Sequence, residues 1–172
     1  MDNSVCEESN YRKTYGEHAV KLRNFMYYKC GDLQRAEDLM HEAFVKLWEN
    51  CKKVFLEKAK SFLFTTANRL FLNEVEHDKV TLKFEKQQTS MDNRQDPQFK
   101  LEEEEFKQQL EKAIADLPES QREVFLMNRI DKMSFQEIAE IQGVSLSAVH
   151  KKMYKAMDKL KDSVEILKDI KI

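Results

Sequence analysis

The stretch of the chain richest in possible chemistry runs from Ser134 to Leu160. Ser134-Phe-Gln-Glu137 has the spacing of a capping box, in which the serine oxygen accepts from a free backbone N–H and the glutamate reaches back. The short helix it opens carries Ile138, Ala139 and Ile141 and stops at Gly143, and Ser145 can cap a longer helix that follows. A short helix, a turn with glycine and a longer helix is the helix-turn-helix pattern. The longer helix presents His150, Lys151, Lys152, Tyr154, Lys155 and Lys159. Residues 147–161 hold five lysines against one aspartate, a local charge of +4 in a chain whose net charge is −2. Such a stripe suits phosphate contacts and entry into a DNA major groove. A solvated basic face in an unrelated helical bundle has the same pattern.

Other chemistries lack their residues. His18, His41, His77 and His150 form no recognisable catalytic arrangement with Cys or Asp, and no second ligand stands at helical spacing from His150. With three glycines there is no phosphate-binding loop. Cys6, Cys30 and Cys51 lack metal-ligand spacing and are expected as reduced thiols. No enzyme activity, cofactor or metal is therefore expected. At 41% hydrophobic and 35% charged, the chain is too apolar for disorder and too charged for a membrane span. No signal peptide is visible, so the chain is expected to be soluble and cytoplasmic.

The elements that must carry the basic helix follow from periodicity. Scarce Gly and Pro with abundant Leu, Glu, Lys and Gln predict an all-α fold. Residues 1–10 read as a disordered tail. A helix from Tyr15 stops at Gly31; Asp32 caps a second, with Leu33, Ala36, Leu39, Met40, Ala43, Phe44, Leu47 and Trp48 on one stripe. After a short basic loop, a third helix turns Ala59, Phe62, Leu63, Thr66, Ala67 and Leu70 inward. These make a three-helix bundle over 11–78. Residues 79–105 read as a flexible linker ending in the acidic run Glu102–Glu105, which suits a solvated helix start. A four-helix domain over 106–165 and a tail, 166–172, complete the chain.

Several motifs in this order resemble one family. Leu117-Pro118-Glu119-x-x-Arg122-Glu123-Val124-Phe125, then Ser134-Phe135-Gln136-Glu137-Ile138-Ala139, then Gly143-Val144-Ser145-x-x-x-Val149, closed by Lys155-Ala156, resembles region 4 of bacterial sigma factors, in the extracytoplasmic-function group. Ala36-Glu37-Asp38-Leu39-x-x-Glu42-x-Phe44-x-x-x-Trp48 resembles region 2 of the same group, and Phe62-Leu63-Phe64-x-x-Ala67 followed by Asn73 resembles its promoter-melting segment. The likeness spans 12–162. His41 and Ala148 depart from the usual Gln and Thr, Ala67-Asn68-Arg69 replaces Ala-Arg-Asn, and Glu74-Val75-Glu76-His77-Asp78 replaces an Arg-rich stretch.

The resemblance implies a factor that binds core RNA polymerase, recognises promoter DNA and opens its −10 element. It implies that Asp38, Leu39, Glu42, Phe44 and Trp48 meet the clamp helices of the largest polymerase subunit, with region 4 at the flap of the second subunit. Core packing is the competing role for Leu39, Phe44 and Trp48. Phe62, Phe64, Asn68, Arg69 and Asn73 match the melting segment, where wedges and a polar pocket act on unpaired bases; Phe62 equally suits a core position. Lys52, Lys53, Lys58 and Lys60 suit backbone support or plain solvation. His150, Lys151, Tyr154 and Lys155, with Lys152 beside them, match −35 contacts, and Asn128 and Ser134 match positions that hold phosphate. A dedicated anti-sigma factor, of a kind often membrane-linked in this group, is a further implied partner. A free-standing helix-turn-helix regulator and a helical interaction module without DNA binding are the competing readings.

Overall fold

The computed structural model describes residues 4–74, 82–84 and 97–164. Seven helices are present among them: α1 (Glu8–Cys30), α2 (Leu33–Glu49), α3 (Ala59–Glu74), α4 (Pro97–Ala115), α5 (Glu119–Arg129), α6 (Phe135–Gln142) and α7 (Leu146–Ser163). The all-α expectation holds, with three helices in the first half and four in the second.

Local signals set most boundaries. Gly31 adopts φ 69°, the left-handed region that glycine enters without a Cβ clash, and its N–H closes α1 on the Tyr27 carbonyl at 2.8 Å. The Asp32 carboxylate then accepts from the Arg35 N–H at 2.8 Å and opens α2. The α2 stripe buries Ala36, Leu39, Met40, Ala43, Phe44 and Leu47. Leu33 and Trp48, expected on that stripe, are 47% and 49% exposed because they lie at its edges. Helix α3 buries Ala59, Leu63, Phe64, Ala67 and Phe71, and the Phe64 ring lies 5.3 Å from Phe25 of α1.

The N-terminal tail differs from expectation. Helix α1 begins at Glu8. Ahead of it Val5 is fully buried, Ser4 pairs with Phe55, and Cys6 is disulfide-bonded to Cys51. The reduced-thiol expectation therefore fails for two of the three cysteines; 45 residues separate them, and sequence spacing carries no sign of that approach. Cys30 stays free, its thiol donating to the Asp32 carbonyl and pushed up in pKa by burial.

The linker also differs in part. Helix α4 opens at Pro97, a residue suited to a first turn, and contains Glu102–Glu105. Leu82 is buried, and the Tyr27 hydroxyl donates to the Lys83 carbonyl at 3.0 Å. The rest of 79–96, and the tail 166–172, lie outside the described residues.

Candidate nucleic-acid interface

Helices α6 and α7 form the helix-turn-helix. The Ser134 hydroxyl accepts from the Glu137 N–H at 3.2 Å, and the Glu137 carboxylate accepts from the Ser134 N–H at 2.9 Å, so the capping box is complete. That backbone donor holds the Glu137 carboxyl below its ordinary range, with Lys60 adding to the effect. Gly143 takes φ 64° at the turn, and Ser145 caps α7 through the Ala148 N–H. Val149, Met153, Ala156 and Leu160 are buried on the inner face of α7, which packs against α5 and α6.

His150, Lys151, Tyr154 and Lys155 are all exposed and share one face of α7, with Tyr154 74% exposed. The His150 ring rests edge-on against Phe135 of α6 at 4.6 Å, which fixes where the imidazole points. Lys152 does not join this face. Its Nζ turns back to donate to Gln142 Oε1 at 2.9 Å, and Gln142 in turn donates to Glu123. The Asn128 amide donates to the Met133 carbonyl at 2.9 Å and braces the α5–α6 turn, and the Ser134 hydroxyl serves the cap. These three have internal partners, whereas the other four stand open.

On α3, Arg69 and Asn73 are exposed, joined by Leu72 at 56%, which sequence reasoning missed. Phe62 is half-buried. Phe64, expected as a wedge, is 1% exposed and belongs to the core, because the inward stripe of α3 runs Leu63-Phe64-Ala67-Phe71 rather than through Phe62 and Leu70. Asn68 is half-buried with an Oδ1 that lacks a hydrogen-bond partner.

On α2, Asp38 and Glu42 are exposed, and so are His41, Val45 at 53% and Trp48. Leu39 and Phe44, each 2% exposed, lie beneath this face in the core. Trp48 stacks edge-on against Tyr11 at 5.2 Å, and the Tyr11 hydroxyl donates to the Phe44 carbonyl. The resulting strip is acidic at one end and apolar at the other. Val45 was legible by helical period alone, one turn on from Glu42.

The two halves meet through α1 and α5, an arrangement no sequence signal announced. Lys29 Nζ contacts Glu123 Oε1 at 2.5 Å and Glu119 Oε1 at 3.1 Å. The Arg122 Nε donates to the Tyr28 carbonyl at 2.8 Å, and its Nη1 donates to the Ala115 and Leu117 carbonyls. Asp131 accepts from the Tyr28 hydroxyl at 2.8 Å and from the Asn24 amide at 2.7 Å. Lys60 Nζ reaches Glu137 Oε1 at 3.2 Å. Burial raises the pKa of Glu123 against the pull of Lys29, raises those of Asp131 and Tyr28, and lowers that of Arg122. Beside this contact lies a cleft of 430 Å³, lined on one side by Phe64, Thr65 and Asn68 and on the other by Glu140, Ile141 and Gly143.

Comparison with known proteins gives matches along most of the chain. Residues 14–79 match the family model described as Sigma-70 region 2, and residues 107–160 match that described as Sigma-70, region 4. RNA polymerase sigma factor YlaC of Bacillus subtilis (strain 168) is 26% identical over 165 residues, covering 91% of each chain. The ferric citrate uptake sigma factor FecI of Escherichia coli (strain K12) is 24% identical over 150 residues, covering 86% of this chain and 87% of that one. Among solved structures, the sigma factor RpoE in complex with the anti-sigma factor NepR, from Bartonella quintana, aligns at TM-score 0.65 and 19% identity. It covers 94% of this chain and 98% of that one, and shows a shared fold.

Proposed function

The chain belongs to the sigma-70 family, in its extracytoplasmic-function group, and we propose from that premise how its surfaces divide the work of initiation. As an alternative sigma factor it directs promoter recognition. The observation that carries the finer reading is the sorting of exposed side chains onto three separate helix faces.

The first face is the strip on α2. Asp38, Glu42, Val45 and Trp48 offer charge and apolar area together to a basic helical hairpin, the clamp helices of the polymerase's largest subunit. Leu39 and Phe44 support that strip from below. The second face is on α3, where Arg69, Leu72 and Asn73, flanked by half-buried Phe62 and Asn68, act on the opened −10 strand. The third is on α7, where His150, Lys151, Tyr154 and Lys155 meet the −35 element. No catalytic step is assigned to the chain, and the cytoplasm is its proposed compartment. Among the described residues no helix is long and apolar enough to cross a membrane.

The docked arrangement is the resting state in this reading. The −35 and −10 elements are separated by about 25 base pairs, or about 85 Å of B-DNA. A compact chain of this length has a radius of gyration of about 16 Å. The docked halves cannot touch both elements at once, so polymerase binding must separate α1 from α5. An anti-sigma factor that holds the halves together would be an inhibitor by the same geometry; such a partner is proposed from the complex seen for the Bartonella protein.

Transcription reconstituted with core polymerase, followed by start-site mapping, tests the reading. Start sites sharing −10 and −35 elements are expected. A chain that binds operator DNA as a dimer and gives no initiation with core enzyme would support the free-standing regulator instead.

A further inference from the structure

The N-terminal segment is fastened to the loop between α2 and α3 by three independent features. Cys6 is joined to Cys51, with Cα atoms 5.0 Å apart. The Ser4 backbone pairs with Phe55 in an antiparallel bridge. Val5, between them, is fully buried. The Asn10 amide also donates to the Ser4 carbonyl at 2.9 Å. The loop so held runs from the polymerase-facing end of α2 to the first turn of α3. It carries exposed Lys52, Lys53 and Lys58, and Phe55 at 69% exposure.

A sigma factor works beside polymerase and DNA, where cellular thiols are kept reduced. Disulfides in such a compartment are transient or sensory rather than permanent staples. Both cysteines are only half-buried, so oxidants and reductants reach them. Lys52 and Lys53 follow Cys51 directly in the chain and bring positive charge to its loop, which favours the thiolate in the reduced form. Cys30 is bonded within its own turn and takes no part.

We propose that Cys6 and Cys51 form a reversible redox modification site, oxidised by a hydroperoxide, that sets the shape of loop 50–58 and hence the efficiency of promoter opening. The Cys51 thiolate attacks the hydroperoxide: an S–O bond forms, the O–O bond breaks, and an alcohol or water leaves with a proton. Cys6 then attacks the Cys51 sulfur: the S–S bond forms, the S–O bond breaks, and water leaves. Two thiols lose two electrons in all, and the hydroperoxide is reduced to an alcohol and water. A cellular dithiol reverses the bond by exchange. In the oxidised form residues 4–6 pin the loop and present Phe55 and the lysines beside α3. In the reduced form the loop has one anchor fewer and must be ordered when DNA binds, which costs affinity.

The proposal rests on the sigma-factor reading, and its test separates the two. The isolated full-length chain is treated with hydrogen peroxide, quenched with catalase, and compared with chain held in dithiothreitol. Peptide mapping should place the new bond between Cys6 and Cys51. Open complex formed with core polymerase, read by permanganate, should be about fivefold or more greater for the oxidised form, the low end of ordinary coupling. C6S and C51S should each match the reduced wild type under both treatments, and C30S should keep the full response. Because the two serine variants cut one bond from opposite ends, a folding defect in one would separate them. Transcription by the reduced chain reports on the sigma reading alone. A bond mapped to Cys30, or equal open complex from oxidised and reduced wild type, overturns the redox site.

Discussion

Lys29 and Glu123 close on one another from opposite halves of the chain, Nζ to Oε1 at 2.5 Å, with side chains 7% and 6% exposed. The pair sits under the aromatic faces of Phe25 and Phe71, the Lys29 Nζ lying 5.0 Å and 5.9 Å from their ring centres. Desolvating two such charges offsets much of their attraction, so the contact ranks as a determinant of register more than of net stability. It fixes where α5 meets α1, and through Gln142 and Lys152 it reaches the helix-turn-helix.

Removing one partner should therefore cost far more than removing both. Lys29→Met alone leaves Glu123 buried without its cationic partner, and the docked state should lose about 3–5 kcal/mol. Lys29→Met with Glu123→Leu should return most of that loss. Energy transfer between a dye in each half measures docking directly. Additive losses in the double variant would mean the pair does not act as a unit.

Docking should weaken as pH rises. Burial holds the Glu123 and Asp131 carboxyls above their ordinary range in the docked state. When the halves separate, both return to ordinary values of about 4. Between those limits the docked state binds more protons, so its advantage is full below the ordinary range and fades as pH climbs through the raised values. The dye pair should report more of the open form at about pH 8 than at about pH 5, and Glu123→Gln with Asp131→Asn should flatten the profile. Opening that increases on acidification would contradict the assignment.

The α2 strip separates contact from support. Asp38→Lys with Glu42→Lys should weaken core-polymerase binding by roughly tenfold or more, with stability changed by about 0.5 kcal/mol or less. Leu39→Ala should instead cost about 2–5 kcal/mol of stability, because it empties a core position. Competition for core enzyme and thermal unfolding read the two effects apart. Full competition by the charge-reversed chain would remove α2 from the polymerase interface.

What the sequence disclosed follows a physical division. Gly31, Asp32, the Ser134–Glu137 box and Gly143 act within four residues of themselves, and each boundary they mark is where it was expected. Helical period likewise puts Val149 and Met153 on the side of α7 away from His150 and Tyr154, as observed. Long-range partners were not legible. Nothing near Cys6 points to Cys51, and Lys29, Arg122 and Glu123 look in sequence like ordinary surface charges. Phe64 was expected at the surface because Phe62 and Phe64 point to opposite sides of α3, and the packing of Phe64 against Phe25 is what turns that side inward.

The recognition helix α7 divides its lysines between two faces. Lys151 and Lys155 are exposed one turn apart on the face that also carries His150 and Tyr154, whereas Lys152 is held by Gln142 on the side toward Glu123. If Lys151 or Lys155 reads a base, its replacement by Ala should cost about 1–3 kcal/mol and relax preference at one promoter position. If it meets phosphate, binding should fall for all sequences and the salt slope should shrink by about one unit. Lys152→Ala should do neither. It should leave −35 selectivity unchanged and loosen docking, because Gln142 loses a donor and Glu123 loses part of its support. Transcription from a library randomised across the −35 element, paired with the dye measurement of docking, scores all three variants together. A selectivity change from Lys152→Ala with docking intact would place that side chain in the groove and reverse the division drawn between the two faces of α7.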